Sequence, residues 1–372
     1  MNDYGKIVSV GEVAYERSER IDNPSISTIE RFVGLEHFDS GDLAIVKYGD
    51  SKELGSTMKR CVAGDTLIAR RNVYLKRASI CNFDCLCSGD AIVLRENGEV
   101  APGFLPILFN SDRFWKFASS NADGTMSKRL NVSHLKSYEF FLPLLNIQEK
   151  IVDLIWRIEK LKEELMNRVD ILSEFIKSRF IEMFGTFDNP KYGLVEINQL
   201  VSKKVDKVAK TYGPDSIIHY IDISSINKDD RSIDSTNEYV VKGAPSRAQQ
   251  CVIQGDILFS NVRPNLKTIA RINSEKENLV CSSGFTVLRC EKCEPEYLIT
   301  AIIDDIFTDI LTNKATGSSY PAVTSKDVLE APIPFGPKEV RKTFADFVKQ
   351  VDKSKLVDSY YFNAIEGDER YV

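Results

Sequence analysis

The sequence predicts an α+β protein built from two copies of one mixed domain, with a long helical spacer between the copies. Three observations lead to this prediction. The chain repeats itself at an offset near 190 residues, and each copy contains short β-rich runs introduced by Gly-Asp turns. A helical pattern of about 38 residues without Gly or Pro separates the copies. The predicted fold class is therefore α+β with a pseudo-twofold internal repeat and a coiled-coil spacer.

The internal repeat depends on five matches that occur in the same order in both copies. The paired segments are 4–8 with 192–196, 34–38 with 222–226, 61–68 with 252–259, 87–95 with 281–289, and 122–125 with 315–318. The offset drifts only between 188 and 194 residues, as small loop insertions would produce. Five ordered matches with slow drift indicate duplication of one domain.

Each copy has the local pattern of a mixed domain. Gly64 introduces the β-rich run Asp65–Ala69, and Gly255 introduces the equivalent run at 256–260. A helical candidate precedes the final loop of each copy, at 103–119 and at 296–312. Strands and helices inside one repeated unit predict α+β domains rather than an all-helical array.

The spacer sequence predicts one long helix. Asn146 is a candidate N-cap, Glu149 stands at the third helical position, and Gly185 ends the pattern. The residues at one heptad position are Ile151, Ile158, Leu165 and Leu172, and those at the other are Leu154, Leu161 and Phe175, with Arg168 interrupting the seam. At a rise of about 1.5 Å per residue the helix spans roughly 55 Å. This apolar seam needs a partner.

The candidate partner within the chain is a helical pattern at 337–355; an external helix or a second protomer is the alternative. The sequence therefore divides into a first domain at 1–145, a central spacer helix at 146–185, a second domain at 186–336, and a C-terminal spacer helix with a tail at 337–372.

Composition excludes several classes of protein. The chain is 43% apolar and 28% charged, which is typical of a globular protein with ample core. No run approaches the length of apolar sequence that a membrane helix needs, and the polar start predicts no signal peptide, so we expect a cytoplasmic protein. The net charge of −5 argues against a histone-like binder and leaves nucleic-acid binding to local basic surface.

The eight cysteines invite a metal hypothesis. Cys81, Cys85 and Cys87 are closely spaced, and Cys290 and Cys293 form a second, shorter group. The first group lacks a second CxxC at zinc-site spacing, and the three histidines are scattered along the chain. We therefore expect reduced, mostly buried thiols and no metal site.

The duplicated domains and the helix that opens after a proline resemble the specificity (HsdS) subunit of type I restriction-modification systems. The resemblance covers nearly the whole chain. It is carried by Pro143-Leu144-Leu145-Asn146-Ile147-Gln148-Glu149-Lys150-Ile151 at the helix entry, by Ser178-Arg179-Phe180-Ile181-Glu182-Met183-Phe184-Gly185 at its exit, and by the two Gly-Asp turns. Two departures follow the second copy: Glu339 occupies the family position for Gln, and the final helix is about half as long as the first.

The resemblance implies a non-catalytic subunit with two target-recognition domains that read a bipartite, asymmetric DNA site, one half per domain. It implies double-stranded DNA, two methyltransferase subunits and restriction subunits as partners. No cofactor is expected on this chain, since S-adenosylmethionine, ATP and Mg would be bound by the partners. The sequence fits this role, because it contains no Walker motif, no Rossmann glycine triplet and no Asn-Pro-Pro-Tyr motif. An orphan or decoy scaffold that does not support methylation is the alternative, with the same sequence pattern.

Basic clusters after equivalent strands supply the candidate DNA-binding residues, although each one alone would also fit a solvated loop charge. They are Lys59, Arg60, Arg70, Arg71, Lys76, Arg77, Lys128 and Arg129 in the first copy, and Arg247, Arg263, Asn265, Lys267, Ser318, Ser319 and Tyr320 in the second. The candidate partner-binding residues on the spacer helix are Gln148, Ile151, Trp156, Phe180 and Phe184. Packing of Trp156 against the first domain is an equally good interpretation. No catalytic residue is predicted.

Overall fold

The computed structural model describes residues 4–125, 127–227, 231–233, 235–317 and 320–368. They divide into two compact units: unit 1 comprises the residues up to Glu164 together with those from Ala364 onward, and unit 2 is Leu165–Asn363. Each unit combines strands and helices, so the α+β prediction is confirmed. The division falls inside the long helix, and each unit is described below by itself.

Unit 1 is organised around two sheets. Its strands are β1 (Gly5–Ser9), β2 (Ala14–Glu16), β3 (Arg20–Ile21), β4 (Arg31–Val33), β5 (Gly49–Asp50), β6 (Met58–Cys61), β7 (Asp65–Ala69), β8 (Ala78–Cys81), β9 (Cys85–Cys87), β10 (Ala91–Glu96), β11 (Ala122–Asp123), β12 (Arg129–Leu130) and β13 (Glu139–Pro143). Its helices are α1 (Val10–Val13), α2 (Phe104–Phe109), α3 (Asp112–Ser120), α4 (Val132–Lys136) and the first part of α5 (Leu145–Phe184).

The two main sheets of unit 1 have the orders β2-β10-β7-β8 and β3-β6-β9-β4-β5. Strand β7 is buried along its whole length. Successive side chains of a strand point to opposite faces, so Ile68 packs in the core formed with α2 and α3, and Leu67 packs in the other core. Burial on both faces explains why β7 is a continuous run of mostly apolar residues.

Unit 2 repeats this plan. Its strands are β14 (Leu194–Glu196), β15 (Ile217–Ile221), β16 (Asn237–Val240), β17 (Ala248–Cys251), β18 (Ile257–Ser260), β19 (Ile269–Arg271), β20 (Leu279–Ser282), β21 (Phe285–Leu288) and β22 (Pro332–Pro334). Its helices are α6 (Val208–Thr211), α7 (Pro295–Ile302), α8 (Asp305–Thr312), α9 (Ser325–Leu329), α10 (Lys338–Asp368) as far as Asn363, and the remainder of α5.

Strand pairing confirms the internal repeat. Strand β18 lies between β21 and β19, as β7 lies between β10 and β8. Strand β20 pairs in parallel with β15, as β9 does with β4, and β22 pairs antiparallel with β14, as β13 does with β1. The two units therefore share a topology as well as sequence matches.

The helical candidate of each copy is two short helices rather than one, so this prediction was wrong. Between α2 and α3, the Ser111 hydroxyl accepts a hydrogen bond from the Phe114 amide at 3.3 Å. Between α7 and α8, the Asp304 carboxylate accepts one from the Ile306 amide at 2.9 Å. Each side chain caps a new helix start and turns the chain, which the apolar pattern alone does not reveal.

The predicted long helix is α5, of 40 residues, and α10 has 31 residues, which makes the second helix longer than the sequence pattern indicated. Within unit 2 the two helices pair antiparallel. Phe175 meets Phe347 edge-on, with ring centroids 5.1 Å apart, and Phe180 meets Phe344 at 5.5 Å. Further along, Arg168 lies 3.3 Å from the Asp358 carboxylate. The seam of this part of α5 therefore has a partner within the chain.

The entry to each spacer helix is fixed by its fourth residue. Gln148 is 1% exposed, donates to the carbonyls of Pro143 and Glu99, and accepts from the Ala101 amide at 2.9 Å. In unit 2 the fourth residue of the helix is Arg341, which donates to the carbonyls of Gly336 and Lys292.

Arg341 also pairs with the Glu294 carboxylate at 3.1 Å. Its partners Gly336, Lys292 and Glu294 stand 193 residues after Pro143, Glu99 and Ala101, the partners of Gln148. Arg341, and not Glu339, therefore occupies the position of the family's Gln. Counting from the proline placed Glu339 at this position instead, because the connection between β22 and α10 is longer than that between β13 and α5.

Among the described residues, no helix is both long and apolar enough to cross a membrane.

Candidate nucleic-acid interface

A buried Gly-Asp turn begins the central strand of each unit. Gly64 and Gly255 adopt φ values of 88° and 91°, a left-handed conformation that favours glycine. Asp65 is fully buried, accepts a hydrogen bond from the Val62 amide at 2.7 Å, and pairs with Arg95 Nε at 2.6 Å. These contacts fix the start of β7 and thereby the loop at its other end.

Unit 2 has the same ion pair. Asp256 is 1% exposed and accepts from both Nε and Nη2 of Arg289, at 2.9 and 2.8 Å. It also accepts from the Ile253 amide at 3.0 Å. The carboxylate raises the pKa of the Arg289 guanidinium, because the hydrogen-bonded ion pair favours the charged form. The Gly-Asp turns predicted from the sequence are thus structural elements that orient a loop.

The loops that follow β7 and β18 have a strained backbone at equivalent positions. In unit 1, Asn72 and Lys76 have φ values of 57° and 47° and flank a short 3₁₀ helix at Val73–Leu75. In unit 2, Arg263 and Lys267 have φ values of 50° and 47° and flank Pro264–Leu266. Left-handed non-glycine residues are uncommon and often occur at functional sites.

Each strained loop is held at both ends by equivalent contacts. The Asn72 amide donates to the Lys128 carbonyl at 2.8 Å, and the Arg263 amide donates to the Pro321 carbonyl at 2.7 Å. At the far end, Lys76 pairs with Asp112 at 2.7 Å, and Lys267 pairs with Asp305. Hydrogen bonding to these ammonium groups lowers the pKa of both aspartates. We call 70–77 with 121–125 and 127–130 the unit 1 loop site, and 261–267 with 315–317 and 320–323 the unit 2 loop site.

The unit 1 loop site gathers three arginines around one carboxylate. Asp90 lies 3.7 Å from Arg70, 3.5 Å from Arg71 and 3.0 Å from Arg129. The side chains of Arg71 and Arg129 are 46% and 38% exposed, and Lys128 is exposed beside them. One negative charge does not neutralise three positive ones, so this loop site carries a surface of net positive charge.

The unit 2 loop site has the same backbone conformation but carries different side chains. The Arg263 guanidinium lies over the Tyr320 ring, 4.6 Å from its centroid, and Tyr320 is 69% exposed. Asn265 is exposed on the same loop, and Arg247 is exposed at the start of β17. Ser318 and Ser319, also predicted to contact DNA, lie outside the described residues.

Three predicted DNA-binding residues of unit 1 have other roles or positions. Lys59 is largely buried, where it donates to the Ala91 carbonyl at 2.9 Å and lies 3.6 Å from Glu16. Arg77 donates to the carbonyls of Leu35 and Arg71, which makes it a support for the loop. Arg60 pairs with Glu19 at 3.2 Å on β6, away from the strained loop in sequence.

The predicted partner-binding residues mostly pack inside their own units. Gln148 is committed to the hydrogen bonds described above, and Phe180 and Phe184 belong to the core of unit 2. Ile151 packs against the core of unit 1. Trp156 is half-buried and its indole Nε1 lies against Gly103, which has no side chain to obstruct it. Gln148, Phe180 and Phe184 are buried within their units, whereas partner contact through the half-buried Ile151 and Trp156 stays a prediction.

Sequence reasoning missed Asp90 and Asn72. Asn72 is the left-handed residue equivalent to Arg263, and its side chain accepts from the Ser127 hydroxyl at 3.1 Å. A signal was present, because Asn72 and Lys76 stand 191 residues before Arg263 and Lys267, the same offset as the Gly-Asp turns. Asp90 carried no such signal, since its equivalent in the second copy is Gly284.

Comparisons with known proteins relate this architecture of two α+β units with long spacer helices to DNA-specificity proteins. Residues 193–357 match the family model of the type I restriction modification DNA specificity domain. The type I restriction enzyme HindI specificity subunit of Haemophilus influenzae is 24% identical over 116 residues, which are 30% of this chain and 25% of that protein. The matched region thus spans about a quarter of the HindI subunit.

Solved structures extend the likeness of fold to the whole chain. The type I restriction-modification S subunit from M. genitalium has a TM-score of 0.61 at 11% identity, over 98% of this chain and 94% of that one. A chain from a structure describing the assembly and conformational transition of a type I R-M system has a TM-score of 0.54 at 21% identity, over 100% and 96% of the two chains. The comparisons support the resemblance recognised from the sequence: residues 193–357 match the family model of the specificity domain, and the chain as a whole shares its fold with these solved structures.

Proposed function

We propose that this chain is the DNA-recognition subunit of a type I restriction-modification complex and that it reads a bipartite, asymmetric site, one half with each unit. Methylation and cleavage would be carried out by partner subunits, which would also bind S-adenosylmethionine, ATP and Mg. The observation that carries the proposal is the pair of loop sites, which have the same strained backbone in both units and different polar side chains.

The side chains at the loop sites suit the two tasks of a sequence reader. Phosphate contacts fix the register of a protein on DNA. Arg71, Arg129 and Lys128 offer positive charge to the DNA phosphates, because these basic groups outnumber the carboxylates beside them. Base edges are read by forked or planar groups, and Arg favours guanine whereas Asn favours adenine. Arg263 and Asn265 on one loop therefore fit direct readout in the second half-site.

Different side chains at equivalent loop positions would give the two units different target sequences. Arg70 and Asn72 of unit 1 stand where unit 2 has Asn261 and Arg263, so the order of the two side chains is reversed. Asn261 is largely buried and accepts a hydrogen bond from the Thr286 hydroxyl, which leaves Arg263 as the more accessible of the unit 2 pair. Two readers with different side chains at the same positions would select different bases.

Docking of methyltransferase and restriction subunits requires exposed surface, and the spacer helices supply it. Leu154 and Leu161 of the unit 1 part of α5 are 59% and 46% exposed. On α10, Leu356, Tyr360 and Tyr361 are 69%, 71% and 56% exposed. Exposed apolar side chains on a helix favour a protein interface. We therefore move the proposed docking role from the buried residues Gln148, Phe180 and Phe184 to these side chains.

The decisive experiment is to map modified adenines in the source genome and to measure binding of the purified chain to duplexes carrying the mapped motif. We expect one split motif with two short half-sites and a fixed gap, methylated nearly completely, and a steep loss of affinity as salt rises. Absence of a split motif while the gene is expressed would contradict the proposed role. If the purified chain nevertheless bound DNA, that result would favour the orphan or decoy scaffold.

A separate experiment addresses docking. Leu154→Asp with Leu161→Asp should abolish co-purification with the methyltransferase subunit and leave the melting temperature of the chain unchanged, because both side chains are exposed. Trp156→Phe is the matched control, since a half-buried aromatic side chain against Gly103 would be retained. Co-purification that survives the double substitution would remove this face from the interface.

A further inference from the structure

Three cysteine sulfurs meet in the core of unit 1. Cys61 ends β6, Cys81 ends β8 and Cys85 begins β9, and all three side chains are fully buried. Their Sγ atoms all lie within 4.8 Å of one another, and the Sγ atoms of Cys81 and Cys85 are 3.6 Å apart. The sequence grouped Cys81 and Cys85 with Cys87, but Cys87 lies outside this cluster and Cys61 completes it.

The second unit shows what the fold itself requires at these positions. The Gly64 amide donates to the Cys81 carbonyl as the Gly255 amide donates to the Ile272 carbonyl, which makes Cys81 equivalent to Ile272. Cys61 pairs with Cys85 across β6 and β9, and the Val252 amide donates to the Leu279 carbonyl at the same point in unit 2.

Val252, Ile272 and Leu279 form part of a buried core cluster of unit 2. Three aliphatic side chains are therefore sufficient for packing at this place in the fold. Packing therefore does not require thiols at the same three positions of unit 1. Together the three thiols form a set of soft metal ligands.

We propose that Cys61, Cys81 and Cys85 bind a thiophilic divalent cation, with Zn²⁺ as the cellular ion. Sulfur atoms that share a tetrahedral zinc ion at about 2.3 Å are separated by roughly 3.8 Å, so displacements below 1 Å bring this cluster into place. The Phe83 carbonyl oxygen lies 3.2 Å from Cys81 Sγ and is positioned to supply a fourth ligand. On binding, the three thiols release their protons and the thiolates take the ion.

The cluster lies close to hydrogen-bonding and charged groups. Cys61 Sγ lies 3.8 Å from the Val62 carbonyl oxygen, to which Arg95 Nη2 donates at 3.3 Å. The Arg95 guanidinium, which is already paired with Asp65 at 2.6 Å, therefore lies near a site that would carry a net charge of −1 when three thiolates hold a divalent ion.

The test is titration of the full, reduced chain with Cd²⁺, followed by the ultraviolet sulfur-to-cadmium charge-transfer band, together with the zinc content of protein purified from zinc-supplemented cells. The key variant carries Cys61→Val, Cys81→Ile and Cys85→Leu, which copies the residues of unit 2. Cys87→Val is the control, because Cys87 is equally buried in the same strand as Cys85 and lies outside the cluster.

We expect one metal equivalent in the wild-type chain and in the Cys87→Val variant, and none in the triple variant. Added Zn²⁺ should raise the melting temperature of the first two proteins only. If the larger side chains of the triple variant prevent folding, Cys85→Ser replaces it in the same comparison. A wild-type chain with neither bound zinc nor a charge-transfer band, or a triple variant that retains the band, would overturn the proposal.

Discussion

The loop sites of the two units differ in how they hold their arginines. In unit 1, Asp90 lies within 3.7 Å of Arg70, Arg71 and Arg129, whereas in unit 2 its equivalent is Gly284 and Arg263 stacks on Tyr320 instead. The backbone that carries these side chains is the same, down to left-handed residues at equivalent positions. The duplicated domain therefore retains its turn geometry and varies the polar groups placed on it. A constant backbone with variable polar groups is what the proposed pair of readers for different half-sites requires.

Substitutions in the Gly-Asp turns test whether the two units share the same scaffold, and they should have the largest effect. Asp65→Ala should lower the free energy of unfolding of unit 1 by about 3 kcal/mol, because it leaves Arg95 and the Val62 amide without their buried partner. Asp256→Ala should cost unit 2 a similar amount, since Asp256 makes the equivalent contacts. Urea unfolding of both variants measures these effects. Costs that differ by more than about 1 kcal/mol would show that the two turns are not energetically equivalent.

The helix entries provide the next largest effect. Arg341→Ala should destabilise unit 2 by about 2 kcal/mol, because it leaves two carbonyl groups and the Glu294 carboxylate without their hydrogen-bond donor. Gln148→Ala should destabilise unit 1 by about 1 kcal/mol. Arg341→Gln tests whether the positions are interchangeable. We expect it to recover part of the loss in thermal unfolding, because Gln performs this role in unit 1. Recovery no greater than with Ala would contradict the equivalence.

Specificity should separate by unit. Arg71→Ala should weaken binding to the half-site read by unit 1 by about 1–2 kcal/mol, and Arg263→Ala should do so for the other half-site. Fluorescence anisotropy with duplexes in which one half-site is scrambled assigns each effect. Lys242→Ala is a suitable control, because Lys242 is an exposed, ion-paired lysine outside both loop sites. If both arginine variants lost affinity for the same half-site, the assignment of one half to each unit would fail.

The smallest expected effect concerns Asp90. Asp90→Asn should raise DNA affinity several-fold and steepen the salt dependence, because the three arginines lose their internal counterion. The reciprocal change is available in unit 2, where a Cβ at Gly284 would meet only the Ser282 hydroxyl at an ordinary 3.5 Å. Gly284→Asp should therefore weaken binding. Salt titrations of both variants test the pair, and changes of the same sign would remove Asp90 as a determinant of affinity.

The sequence by itself determined the duplication, the Gly-Asp turns, the long spacer helix and the resemblance to a known family. These features depend on order and spacing along the chain, such as Asp65 and Asp256 at one offset or the absence of Gly and Pro before Gly185, and such patterns are local. Only the tertiary structure decided which of the basic and aromatic residues face solvent. Lys59, Arg77, Phe180 and Phe184 are typical of a binding site in type but are buried or hydrogen-bonded within their units.

The same reason explains what the sequence did not reveal. Asp90 meets three arginines, and Cys61 meets Cys81 and Cys85, because sheet pairing brings together residues that are distant along the chain. Arg341 replaces Gln148 at the helix entry through partners that are defined only by the fold. Contacts of this kind depend on register and strand order, which fix where side chains converge, and no spacing along the chain encodes that convergence.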